Sequence, residues 1–259
     1  MKNKRPKRKV VLFLVEGQSE INALKPVISA LYDSIDPAIE VFFPTIVEDG
    51  RDMRGDITSK IGISPKVIEG CIYKLFLKTF FDKEKLYPKD ITEIIQIVDL
   101  DGAYIPDEQV VFGDNPTGED KPYYGDNTIV TTDVESIVQR NKRKRENLDY
   151  LSSLSEIKIN SKSPKYSVFF FSSNLDHFLY GDANLSIHDK AKKADEYAMQ
   201  YELEPDKFVS AIKTTPGALL EMDYNKSWNF IKESDNSLNR YSNINILFER
   251  LTIETEENN

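Results

Sequence analysis

Apolar positions in this chain gather in short unbroken runs separated by stretches of helical spacing. The runs 10–15, 39–44, 93–98 and 166–171 are rich in Val, Ile and Phe. Such runs read as strands buried on both faces, because a strand with one wet face would alternate. Between the first two, Ile21, Leu24, Ile28 and Leu31 recur at helical spacing behind Ser19, a candidate cap. Pro26 inside that pattern predicts a kink or a reset start. A polar, glycine-bearing loop is predicted over 50–62, then a helix from Pro65 to about Phe81. The resulting β-α-β-α-β order predicts an α/β fold, a mostly parallel sheet flanked by crossover helices.

The pattern breaks at 103–131, where Pro106, Gly113, Pro116, Gly118, Pro122 and Gly125 are interspersed with acids. This reads as an inserted loop. Thr132-Asp133-Val134-Glu135 then reads as a capping box opening a helix that carries Arg140-Asn141-Lys142-Arg143-Lys144-Arg145. After the fourth strand, helices are predicted at 187–201, 205–212, 216–222, 225–232 and 242–251. The implied organisation is a basic arm (1–9), an α/β core (10–180) with its insertion, a helical C-terminal region packed on the core (181–253) and a polar tail (254–259).

Composition narrows the class. With 40% hydrophobic residues, the chain of 259 can bury a real core. A net charge of -9 argues against non-specific coating of nucleic acid, but it suits a centre built from carboxylates. The single cysteine, Cys71, excludes a disulfide framework and a multi-cysteine zinc site, and its apolar setting predicts a buried side chain. No run is long enough to span a membrane, and the basic start lacks a signal-peptide pattern, so a cytoplasmic protein is expected.

Two of the apolar runs end in carboxylates. The first leads into Glu16-Gly17-Gln18-Ser19-Glu20 and the third into Asp99-Leu100-Asp101-Gly102. Carboxyl ends of parallel strands face the crevice where open α/β sheets bind ligands. Oxygen-rich groups there suit a hard cation such as Mg²⁺ or Mn²⁺. Asp99 and Asp101 share one side only if the chain stays extended. Glu20, one helical turn after Glu16, and Asp176, after the fourth strand, are further candidate ligands; each also reads as an ordinary helix-start or turn acid. His177 and His188 read as structural or surface residues. Arg51, Arg54 and Lys60, with Arg143, Lys144 and Arg145, are candidate phosphate contacts, or simply solvated cations. Neither a phosphate-binding lysine loop nor a nucleophile elbow is present.

Val15-Glu16-Gly17-Gln18-Ser19-Glu20 and Val98-Asp99-Leu100-Asp101-Gly102 together resemble the two signature motifs of Toprim domains, especially those of OLD-family nucleases. Phe171-Ser172-Ser173-Asn174-Leu175-Asp176 and Arg240-Tyr241-Ser242-Asn243 resemble segments of RloB-like and abortive-infection proteins of phage-defence loci. The resemblance implies a Toprim-like fold and a metal-dependent nuclease acting on DNA or RNA. Glu16 would be general acid/base or ligand, Asp99 and Asp101 would hold the metal, and Gly17 would let phosphate approach the backbone. It also implies a separate ATPase partner, since the chain has no ATP-binding loop of its own. A homo-oligomer and a catalytically silent regulatory subunit of an ATPase complex stay open. Typical members carry a third acid after Asp-x-Asp; Asp107 or Asp176 would have to substitute here.

Overall fold

The computed structural model describes residues 7–48, 51–53, 55–201 and 204–258. Its centre is a four-stranded, wholly parallel sheet in the order β2-β1-β5-β9. The strands are β1 (Lys9–Leu14), β2 (Ile39–Phe42), β5 (Ile91–Asp99) and β9 (Lys165–Phe171). The expected α/β architecture is therefore present. The chain leaves β1 through α1 (Gln18–Ile35), reaches β2 on one side, and later returns to β5 on the other. The order of strands thus switches between β1 and β5, the place where such sheets open a crevice.

Both faces of the sheet are covered, which is why its strands are unbroken apolar runs. Val10, Leu12 and Leu14 enter one core. There they meet α2 (Ile68–Ile72), a π-helical turn (Tyr73–Leu77), α3 (Lys78–Glu84), α4 (Val134–Ser152) and α8 (Tyr224–Ile231). Val11, Phe13 and Val15 enter the other core. This one is built with α1, α5 (Leu175–Tyr180), α6 (Ile187–Tyr201), α7 (Pro205–Thr214) and α9 (Ile244–Asn258).

Several local expectations are corrected. α1 runs unbroken through Pro26, and its N-cap is Gly17 rather than Ser19. The polar stretch after β2 contains a small antiparallel hairpin, β3 (Ile46–Glu48) and β4 (Arg51–Met53). The insertion is a three-stranded sheet of β6 (Val110–Phe112), β7 (Tyr123–Tyr124) and β8 (Ile129–Thr131). It closes over its own cluster of Ile105, Val110, Ile129, Ile137 and Leu238. Asp133, not Thr132, caps α4 by accepting the Ser136 N–H at 3.0 Å. No helix forms at 216–222: Gly217 has φ +91°, and a Cβ there would lie 1.5 Å from the Arg240 carbonyl oxygen. Cys71 is only half-buried, packed at the margin of the first core.

The segment after Arg240 covers the free edge of β9. Ser242 Oγ donates to the Phe170 carbonyl at 2.6 Å, and Asn243 Oδ1 accepts the Phe170 N–H at 2.8 Å. Trp228 and Tyr224 similarly serve the carbonyl and N–H of Val168. Side chains therefore satisfy backbone groups that an exposed edge would offer to another chain. Among the described residues, no helix is long and apolar enough to cross a membrane.

Candidate metal centre

Six carboxylates gather around the carboxyl ends of β1, β5 and β9, in two groups. The first is Glu16, Asp56 and Asp101, whose nearest oxygens all lie within 4.8 Å of one another. Glu16 follows β1 directly and its Oε1 accepts the Asp99 N–H at 3.2 Å, so the acid is tied to the neighbouring strand. Asp56 comes from the loop after β4, which is held against the site by a 3.1 Å hydrogen bond from the Gly55 N–H to the Glu16 carbonyl. Asp101 follows β5.

Asp99 and Asp101 do not point to one side. Asp101 has φ +52° and Gly102 φ +66°, so the chain leaves β5 in a left-handed turn instead of an extended one. The Asp101 N–H bonds the Ser173 carbonyl at 2.8 Å, which fixes the turn against the end of β9. A side chain at Gly102 would collide with Leu238 and Ile129 at 2.9 and 3.1 Å. The expected Glu16/Asp99/Asp101 triad is thereby corrected: Asp56 takes the place of Asp99 beside Glu16 and Asp101.

Asp99 belongs to the second group, with Glu20 and Asp176. Its Oδ1 accepts the Leu175 N–H at 2.9 Å. Asp176 is buried, and its Oδ2 pairs with Lys190 at 2.7 Å. Glu20 folds back over the start of α1. A Cβ at Gly17 would lie 2.9 Å from Glu20 Oε2. Gly17 itself is extended at φ -151°, so the position calls for a small residue, not for unusual dihedrals. Asp176 supplies the additional acid left open by the sequence, while Asp107 instead pairs with Arg145 at 3.2 Å away from the centre.

The cations are not where the basic run suggested. Lys144 is fully buried, with Nζ 2.7 Å from Asp101 Oδ2, 3.0 Å from Asp56 Oδ2 and 3.5 Å from Glu16 Oε1. It is therefore no surface phosphate contact. Arg140 donates to the Asp101 carbonyl at 3.0 Å and to Tyr124 Oη at 3.2 Å, and Tyr124 donates to Asp101 Oδ1 at 3.1 Å. Arg143 is turned onto the Ser59 carbonyl at 3.0 Å, and Arg145 onto Ile105 and Asp107. Arg54 and the side chain of Arg51 lie outside the described residues. His177 sits at the start of α5, Nδ1 3.1 Å from Ser173 Oγ, and His188 is exposed.

Electrostatics separate the acids into two classes. Burial, then repulsion from Asp56, holds Glu16 well above the usual carboxylate range despite Lys144. Burial and the charge of Glu20 do the same to Asp99. Asp101 moves the other way: burial opposes its charge, but Lys144, Arg140 and the Lys144 and Tyr124 hydrogen bonds outweigh it. Lys144 is raised, because the attraction of Asp101, Asp56 and Glu16 exceeds the cost of burying its ammonium. Tyr124 is pushed up to about 12 by burial and by Asp101, so its hydroxyl stays a donor.

The donor set is all oxygen, as a hard divalent cation requires. Among the described residues, Asp56 Oδ2 and Asp176 Oδ1 are buried oxygens without a hydrogen-bond partner. Unsatisfied buried oxygens of this kind fit ligation of a Mg²⁺ or Mn²⁺ ion. No protein-family model, curated protein or solved structure matches this chain.

Proposed function

We propose that the protein is a divalent-metal-dependent nuclease that hydrolyses DNA or RNA phosphodiesters. The observation that carries this reading is the convergence of Glu16, Glu20, Asp56, Asp99, Asp101 and Asp176 at the switch point of a parallel sheet. Six acids brought together in one place are costly to keep unless cations occupy them. Mg²⁺ or Mn²⁺, when bound, supplies Lewis-acid polarisation of the phosphate. The raised Glu16 carboxyl can hold a proton near neutral pH, which suits general acid/base work on the attacking water or the leaving oxygen. Tyr124 and Arg140 fix the Asp101 turn, holding its carboxylate in place.

The likeness of the two strand-end motifs to Toprim nucleases supports the same reading. It extends the proposal to prokaryotic anti-phage defence, with an ATPase supplied by a partner protein. One observation favours a second reading. Lys144 and Lys190 already pair with acids of both groups, as in an ion-pair core that merely ties strand ends together. That would suit a catalytically silent subunit binding an ATPase.

Cleavage of plasmid, single-stranded DNA and transfer RNA, with Mg²⁺ or Mn²⁺ and with chelator, separates the two. The nuclease reading expects cleavage only with metal, lost on Glu16→Ala or Asp99→Ala. Metal-independent cleavage, or cleavage that survives both substitutions, would sink it.

A further inference from the structure

The two carboxylate groups differ in the cation each already has. Lys144 is sealed: its side chain has no exposed surface and its Nζ stands among Glu16, Asp56 and Asp101. Helix α4 fastens the loop that carries Asp56, through Asn147 Nδ2 on the Thr58 and Ile63 carbonyls at 2.7 and 3.1 Å and Arg143 on Ser59. The lysine cannot withdraw unless that loop opens. Arg140 adds a second positive charge at the Asp101 carbonyl.

Lys190 is different. It extends from α6 with 29% of its side chain exposed and holds Asp176 Oδ2 alone. Asp176 is 5% exposed by side chain, and its other oxygen has no hydrogen-bond partner among the described residues. Asp99 and Glu20 stand close enough for their charges to be felt by Lys190 and by each other. Three acids there share one cation on a flexible stem, which water can receive when it leaves.

We propose that Lys144 is a protein-borne cation filling the Glu16–Asp56–Asp101 group, and that the chain takes a single divalent ion at Asp99, Asp176 and Glu20, displacing Lys190. Mg²⁺ binds oxygens at roughly 2.0–2.1 Å. An ion at that distance from the first three carboxylates would crowd an ammonium already 2.7 and 3.0 Å from two of them. The second group presents a buried oxygen with no partner and a counter-ion free to swing away. The proposal rests on the metal dependence proposed above and decides which acids serve it.

Mn²⁺ titration of the full chain, by calorimetry or by electron paramagnetic resonance of free ion, tests it without reference to activity. Wild-type protein should bind one ion. Asp99→Asn should weaken binding at least fifty-fold, Asp56→Asn less than three-fold, and Lys190→Met should tighten it. Where it folds, Lys144→Met should bind two ions; the Asp56 and Asp99 variants decide the matter even where it does not. Two ions on wild-type protein, or loss of binding in Asp56→Asn with retention in Asp99→Asn, overturns the proposal. Folded wild-type protein that binds no Mn²⁺ overturns the single-ion assignment and the nuclease reading together. An ion gained by Lys144→Met in that case would show that the lysine does fill the first group.

Discussion

Lys144 Nζ lies 2.7 Å from Asp101 Oδ2, and the lysine is wholly shut off from solvent. The pair joins the middle of α4 to the turn after β5 and so closes the carboxyl edge of the sheet. Breaking a buried pair from one side leaves an uncompensated charge, which typically costs about 3–5 kcal/mol. Lys144→Met should destabilise the protein by that order in urea unfolding. Adding Asp101→Asn should recover a large part of the loss. Additive losses in the double variant would mean that the two residues are not coupled.

Glu16 and Asp99 should be liabilities for stability. Both carboxyls are held above their ordinary range by burial and by like charge. An acid raised in the folded state binds its proton more tightly there than when unfolded. Its contribution is therefore favourable at low pH and is lost as pH climbs from the ordinary carboxylate range through the folded value. Without metal, Glu16→Gln and Asp99→Asn should raise the melting temperature, by on the order of 1–2 kcal/mol at pH 8 and less at pH 5. Thermal scans at the two pH values check this. A gain that does not change with pH would contradict it.

Asn243 should matter for folding and not for chemistry. It holds the Phe170 N–H at 2.8 Å and donates to Ser227 Oγ at 3.0 Å, all in the interior. Asn243→Ala leaves a buried N–H unpaired, at a cost of about 1–3 kcal/mol. Chemical denaturation should show that loss while Mn²⁺ affinity stays unchanged.

Strand ends were legible because Glu16 and Asp99 each interrupt an apolar run, and the run fixes which end of the sheet they occupy. The split between Asp99 and Asp101 was not, because it depends on a left-handed turn held by Ser173, far along the chain. Asp56 has no local signal: a loop bond to the Glu16 carbonyl places it. Lys144 was hidden by its neighbours. The basic run reads as wet, yet Asn141, Lys144, Asn147, Leu148 and Leu151 form one buried stripe at helical spacing. Hydropathy counts the first three as surface. The strands of the insertion are two or three residues long, too short for a period to show.

Tyr124 reaches the centre from the insertion and donates to Asp101 Oδ1. Tyr124→Phe removes that bond and the Arg140 contact without changing the ring. Metal-dependent cleavage should slow by about ten-fold, the rate equivalent of about 1.4 kcal/mol, with the melting temperature nearly unchanged. A rate equal to that of wild-type protein would show that Tyr124 serves only to seat the insertion.

The central claim is that these acids support phosphodiester cleavage. Asp99→Asn tests it most directly, because the substitution keeps the side-chain shape and should stabilise the metal-free fold. On whichever nucleic acid the wild-type protein cleaves with Mg²⁺ or Mn²⁺, the folded variant should show no cleavage above the metal-only background. Cleavage by folded Asp99→Asn at the wild-type rate would contradict the account.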